Sequence, residues 1–280
     1  MPPRPNGASK EKICFPWRLS NHGGYQGQLQ MKLALSTWPE VEDYLRVSKG
    51  IILPIGSTEQ HGPIGLIGTD AFCASLIADA AGDIANAMVA PTVAYTPAPF
   101  NTAFPGTISI SEDAIKSLLS EIFSSFFAQG FGKIYVLNAH GANLAPLERT
   151  ARDFAPNHVH IRSWWQFETV NQLRRSLYGE WEGLHATPSE IAITQARLRT
   201  VHSAAANDPP RRLDAEEIAA RAGDNHGPPE LHRREFPDGR VGSHSALAKP
   251  EDGARILGVA AMAVAEDYLG TISGGDGNAI

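Results

Sequence analysis

Short apolar runs and amphipathic stretches alternate along most of this chain. The run Gly50-Ile-Ile-Leu-Pro-Ile-Gly56 is apolar between two glycines and rich in β-branched residues, which predicts a buried strand. Lys133-Ile-Tyr-Val-Leu-Asn138 reads the same way, as do residues 88–95 and 158–164. Between these runs the period changes. Val41, Tyr44 and Leu45 share a helical face behind a Ser36 or Thr37 cap, with Pro39 in the first turn. Residues 70–87 are alanine-rich without internal proline, 111–129 open on Ser111 followed by two acids, and 144–154 complete the set. Strands alternating with helices predict an α/β protein, its parallel sheet covered on both faces. An alanine-rich helix follows His185, and a last helix over 250–268 closes the fold. Residues 207–250 are rich in proline, glycine and charge and predict one short helix, 214–222. Residues 1–30 carry Pro2, Pro3, Pro5, Gly7, Gly23, Gly24 and Gly27 with little periodicity. They predict an N-terminal extension, flexible or draped over a neighbouring subunit, before a single domain over 31–270 and a C-terminal tail over 271–280.

Composition narrows the classes of function. With 42% apolar and 19% charged residues in 280, there is ample material for a core and no sign of global disorder. Thirty acidic against twenty-four basic residues, a net charge of −6, argues against nucleic acid as a partner. Cys14 and Cys73 cannot make a disulfide scaffold and are expected to be free thiols. The long uncharged stretch 84–111 is interrupted by Pro91, Pro97, Pro99 and Pro105, so no membrane span is expected. The opening MPPRPNG lacks the apolar segment of a secretory signal. The expectation is a cytoplasmic, mildly acidic protein acting on a small molecule, with no nucleic-acid or membrane partner.

In a parallel sheet the ligand site lies beyond the carboxyl ends of the strands. The loops after the first and third predicted strands hold the candidate chemistry. Ser57-Thr-Glu-Gln-His61 follows the first, and Asp70 opens the next helix. Glu59 and His61, two apart on extended chain, point the same way. Glu, His and Asp together suit zinc, manganese or iron; the alternatives are a helix cap for Asp70 and solvated loop positions for the other two. His140, in Asn138-Ala-His-Gly-Ala-Asn143, follows the third strand and is either a packed core histidine or a ligand in the same crevice. His185-Ala-Thr-Pro-Ser-Glu190 precedes a helix, where a glutamate commonly compensates the helix dipole.

Leu53-Pro-Ile-Gly-Ser-Thr-Glu-Gln-His-Gly-Pro63, followed by Gly68-Thr-Asp70, resembles the signature of the creatininase (creatinine amidohydrolase) family. Phe104-Pro-Gly-Thr107, Asn138 to Asn143, His185 with Glu190, and Asp238-Gly-Arg-Val-Gly242 match its later blocks in order, over about residues 33–268. The resemblance implies a three-layer α/β sandwich around a mostly parallel sheet, assembled as a homo-oligomer, in many members a hexamer. It implies two divalent metal ions per chain, zinc first, with manganese or iron as alternatives. Carried over residue by residue, Glu59, His61, Asp70, His140 and Glu190 become the metal ligands, Asp70 bridging. His185 becomes the acid/base histidine, and Glu190 joins it in the catalytic set. Trp181, Trp164 and Trp165 are expected to close on the substrate, ordinary packing being the alternative, and Ile64 and Asn143 complete the substrate contacts. Two positions depart from the pattern: Ile64 stands where the family usually has histidine, and Ala142 where creatininase has glutamate. Both count against creatinine as substrate. The function implied is metal-dependent hydrolysis of a C–N bond in a small, cyclic amide. The alternatives are a deformylase or ring-opening hydrolase of a non-amide carbonyl compound, and a metal-binding homologue without catalysis.

Overall fold

In the computed structural model, residues 31–221, 223 and 225–273 are described. The predicted extension 1–30 lies outside them. Four parallel strands form one sheet in the order β2-β1-β3-β4: β1 Gly50–Ile55, β2 Met88–Val89, β3 Lys133–Asn138 and β4 Val159–Ser163. Nine helices are found among the described residues: α1 Trp38–Val47, α2 Thr69–Ala85, α3 Glu112–Ala128, α4 Leu144–Ala151, α5 Glu168–Tyr178, α6 Pro188–Arg197, α7 Ala215–Ala220, α8 Pro229–Glu235 and α9 Pro250–Ser273.

The pleat sorts the strand residues into two cores. Ile52 of β1 with Tyr135 and Leu137 of β3 packs under α2, α5 and α9. Ile51, Leu53 and Ile55 with Ile134 and Val136 pack under α1, α3 and α4. Helices thus cover both faces of a wholly parallel sheet, the three-layer α/β sandwich, which is why β1 is buried at every position.

Four elements differ from the sequence pattern. The strand predicted over 88–95 keeps only Met88–Val89. Ala90 N and Val93 N still donate to Ile52 O and Pro54 O at 2.8 and 3.0 Å, but Pro91 has no N–H to continue a ladder. Helices α5 and α8 are additional. Helix α9 runs to Ser273, so 271–273 are helical. Its 24 residues are long and apolar enough to cross a bilayer, against the expectation that no segment is. Here its apolar stripe, from Gly253 through Ile256 and Leu257 to Tyr268, is buried in the core. Gly253 permits this: a Cβ there would meet Ala192 O of α6 at 1.8 Å.

From β1 the chain builds β2 on one side and β3 on the other. The loops leaving β1 and β3 therefore diverge and open a crevice at their carboxyl ends, the switch point where open α/β sheets bind ligands.

Candidate metal centre

The loop after β1 is pressed against the start of α2. A Cβ on Gly56 would lie 2.3 Å from Ala71 N, so only glycine lets the first turn of α2 come this close to the strand end. That approach sets Asp70 over the crevice. Ser57 Oγ donates to Asp70 Oδ2 at 2.8 Å, His61 Nε2 lies 2.9 Å from Oδ1, and His140 Nδ1 lies 3.1 Å from Oδ2. Both carboxylate oxygens of Asp70 are thus shared between two histidines.

Each imidazole is oriented by a backbone carbonyl on its far side. His61 Nδ1 donates to Glu59 O at 3.1 Å, His140 Nε2 to Pro97 O at 2.8 Å, and His185 Nε2 to Gln60 O at 2.7 Å. A carbonyl only accepts, so that nitrogen carries a proton and the other nitrogen is the one turned to the crevice. Histidines that bind metals are held in this way. The inward nitrogens meet acids: His140 Nδ1 and His185 Nδ1 lie 3.2 and 3.7 Å from Glu59 Oε1, and His61 Nε2 lies 3.9 Å from Glu190 Oε1. Three overlapping trios result, Glu59–His61–His185, Glu59–Asp70–His140 and His61–Asp70–Glu190, each with ligand atoms within 4.8 Å of one another.

This donor set fits divalent cations. Glu59 is fully buried and its Oε1 accepts no hydrogen bond, while Asn101 Nδ2 holds Oε2 at 2.9 Å. Carboxylate and imidazole are the ligand types of zinc and manganese, and a buried carboxylate oxygen left without a donor is costly unless a cation meets it. The electrostatics agree. Burial pulls the His61 pKa down, but Asp70, with Glu190 and Glu59, overrides it and raises it to about 10. Burial acts to raise Asp70, yet His61 and His140 hold it well below the usual carboxylate range. Burial pushes Glu190 up to about 7, His61 opposing and Asp70 reinforcing. The acids draw a proton onto His61 in the position where a metal's charge would serve.

His185 and Glu190 come from the entry to α6. Thr187 caps it, with Glu190 N donating to Thr187 Oγ1 at 3.3 Å and Thr187 N donating back to Glu190 Oε1. The dipole-compensating glutamate and the candidate ligand are therefore one residue. Between them Ala186 is fully buried at φ 57, a left-handed conformation that costs about 1 kcal/mol or more for a residue with a Cβ. That kink turns His185 and Glu190 into the same crevice. The block Asp238-Gly-Arg-Val-Gly242 stands behind it. Val241 pairs with His185, Gly239 O accepts from Gln60 Nε2 at 3.0 Å, and buried Arg240 holds Asp238 at 2.7 Å and Ala206 O at 3.1 Å.

The cleft, about 180 Å³, brings together Glu59, Asp70, His140, His185 and Glu190, with His61 beneath. Trp164 and Trp165 form a wall with Leu184. Three other expected contacts lie elsewhere. Trp181 packs against His244 at 5.6 Å and is not in the cleft lining. Ile64 is buried with Ala186 and Ile191 and faces a separate cavity of about 460 Å³. Asn143 is a strut: its Nδ2 donates to Gly56 O at 2.9 Å, tying the β3 loop to β1. The apolar wall therefore comes from the tryptophans and Leu184, and not from Ile64. Sequence reasoning missed Ser57, Gln60, Asn101 and Arg174. Ser57 and Gln60 lie inside the singled-out motif; Asn101 and Arg174 carry no local signal.

The family model described as creatinine amidohydrolase matches residues 34–268. A 3-dehydro-scyllo-inosose hydrolase of Thermotoga maritima is 31% identical over 38% of this chain and 34% of its own. A mycofactocin precursor peptide peptidase of Mycolicibacterium smegmatis is 36% identical over 35% and 41%. The chain thus spans about a third to two fifths of the length of these curated relatives. Among solved structures, a manganese creatininase superposes with a TM-score of 0.67 at 20% identity, covering 87% of this chain and 99% of the other. A mutant creatininase of Zn–Zn type gives 0.64 at 20% identity over 88% and 99%. Identities this low speak to the fold.

Proposed function

We propose, from the premise that this chain belongs to the creatininase family, that it is a metal-dependent amidohydrolase cleaving a C–N bond of a small amide. The observation that carries this reading is the convergence of two buried carboxylates, the half-buried Glu190 and three carbonyl-oriented imidazoles at the sheet's switch point. Glu59, His61, Asp70, His140 and Glu190 would hold two divalent ions, zinc or manganese, with Asp70 offering one oxygen to each side. Bound there, the ions would supply Lewis acidity, lowering the pKa of water toward neutrality and polarising a carbonyl oxygen.

The remaining work falls to the chain. Gln60 O holds the Nε2 proton of His185, so Nδ1 is the atom that exchanges protons in the cleft. Imidazole titrates near neutral pH, which suits it to protonating a leaving nitrogen. Trp165 and Leu184, backed by the buried Trp164, would pack the substrate's body and exclude water from one side. The test joins metal analysis to an amine-release screen over lactams, hydantoins, creatinine and formamides. Two ions per chain with amine release support the reading; a loaded protein inert on every amide overturns it. The likeness to an inosose hydrolase favours one second reading, ring-opening hydrolysis of a cyclic carbonyl compound, which the same screen extended to cyclic ketones distinguishes.

A further inference from the structure

Two guanidiniums, Arg174 and Arg221, line the same cleft as the acids, and neither has a part in the chemistry above. Arg174 is held in one orientation. Its Nε donates to Glu182 Oε1 at 2.9 Å, shared with Ser189 Oγ at 3.2 Å, Nη2 donates to Glu182 Oε1 at 2.8 Å, Nη1 donates to Asn171 Oδ1 at 3.0 Å, and its Cζ lies over the Trp164 indole, 5.2 Å from the ring centroid. A guanidinium has five N–H donors. These acceptors take three, which leaves one hydrogen on each terminal nitrogen for a molecule in the cleft. Arg221 is likewise tethered, to Glu235 at 2.6 Å. Glu182 answers Arg174, while Arg221 shares the single carboxylate of Glu235 with Arg211.

Resting on the amidohydrolase reading, we infer that the substrate carries a carboxylate on the side remote from its scissile bond, and that Arg174 receives it. A planar fork with one outward hydrogen on each terminal nitrogen matches the two oxygens of a carboxylate, and a preformed guanidinium loses little freedom on engaging them. A neutral polar group would engage fewer donors and lack the charge that strengthens them. Trp165, on the cleft wall beside the buried Trp164 that the guanidinium covers, would hold the apolar body between carboxylate and scissile bond. Arg174 is thus a specificity-determining residue.

The experiment uses the metal-loaded protein and matched probes that carry an apolar spacer and differ in the carboxylate alone: N-formyl-6-aminohexanoate against N-formyl-6-aminohexanamide, and N-formyl-4-(aminomethyl)benzoate against its carboxamide. Calorimetric titration of the wild type should show each acid binding at least about tenfold more tightly than its neutral partner, as expected of a charge-assisted anchor. Arg174→Gln should abolish that preference, weakening the acids far more than the neutral probes. Arg174→Lys should retain part of it, and among amides that turn over, KM should rise more than kcat falls. The wild-type pair and Arg174→Lys decide the matter if Arg174→Gln disturbs the fold. Acids bound no more tightly than neutral partners by the wild type, including no binding of either, overturn the inference. So does an Arg174→Gln variant that weakens both members equally. An enzyme that releases amines from neutral amides without any acid preference refutes the anchoring and leaves the amidohydrolase reading standing.

Discussion

Asp70 is the residue on which both halves of the site depend. Its two oxygens face His61 and His140, and Ser57 fixes their orientation. Asp70→Ala should therefore empty both metal positions, read as loss of bound metal by atomic emission after dialysis; full metal content would refute the bridging role. His185 is different. Its Nδ1 stands 3.7 Å from Glu59, but its assigned work is proton transfer. His185→Ala should keep its metal and lose about a hundredfold or more in turnover; collapse of metal content would make it a ligand. Glu59, His61, Asp70 and His140 were visible in the sequence because each follows a strand end within a motif. Asn101, which holds Glu59 Oε2, and Pro97, whose carbonyl orients His140, sit in a proline-broken uncharged stretch. Their contribution depends on partners about forty residues away, and no local pattern encodes that.

At the scale of elements, the site is made by close approaches that glycine or strain permits. Gly56→Ala would drive a methyl into the backbone of Ala71 and Asp70, forcing α2 away from β1. The expected cost is about 2 kcal/mol or more in denaturant unfolding, together with weaker metal retention, because Asp70 rides on that turn. A variant with wild-type stability and metal content would show that α2 adjusts freely. Strands β1 and β3 were legible because burial on both faces writes an unbroken apolar run. The over-long β2 was not, since only the position of Pro91 in the pairing decides where it ends. Helix α5 carries its own apolar stripe, Val170, Leu173, Leu177 and Tyr178 at helical spacing against the core under α9, so it was legible in the sequence although the strand–helix alternation passed it over. The consequence reaches the cleft, because α5 delivers Arg174.

For the whole molecule, metal binding and folding stability are one linked quantity. Without ions the buried acids must be answered by protons. Glu190, with its pKa raised to about 7, binds a proton in the folded state that it would release when unfolded, so metal-free stability falls as pH rises from about 4.5 to about 7. His61, raised to about 10, stabilises fully below its unfolded value near 6.5, and that contribution is lost as pH rises toward 10. Both trends run the same way. Metal binding needs the opposite protonation, Glu190 ionised and His61 neutral, so it releases protons and strengthens as pH rises. Ligation to the folded state alone adds stability by mass action. The gap in Tm between metal-loaded and chelator-stripped protein should therefore widen from about pH 5 to about pH 8. Differential scanning calorimetry of both forms at fixed ionic strength measures it. A gap that is constant or narrows over that range would mean that His61 and Glu190 are not ligands, and would move the metals away from the switch point between β1 and β3.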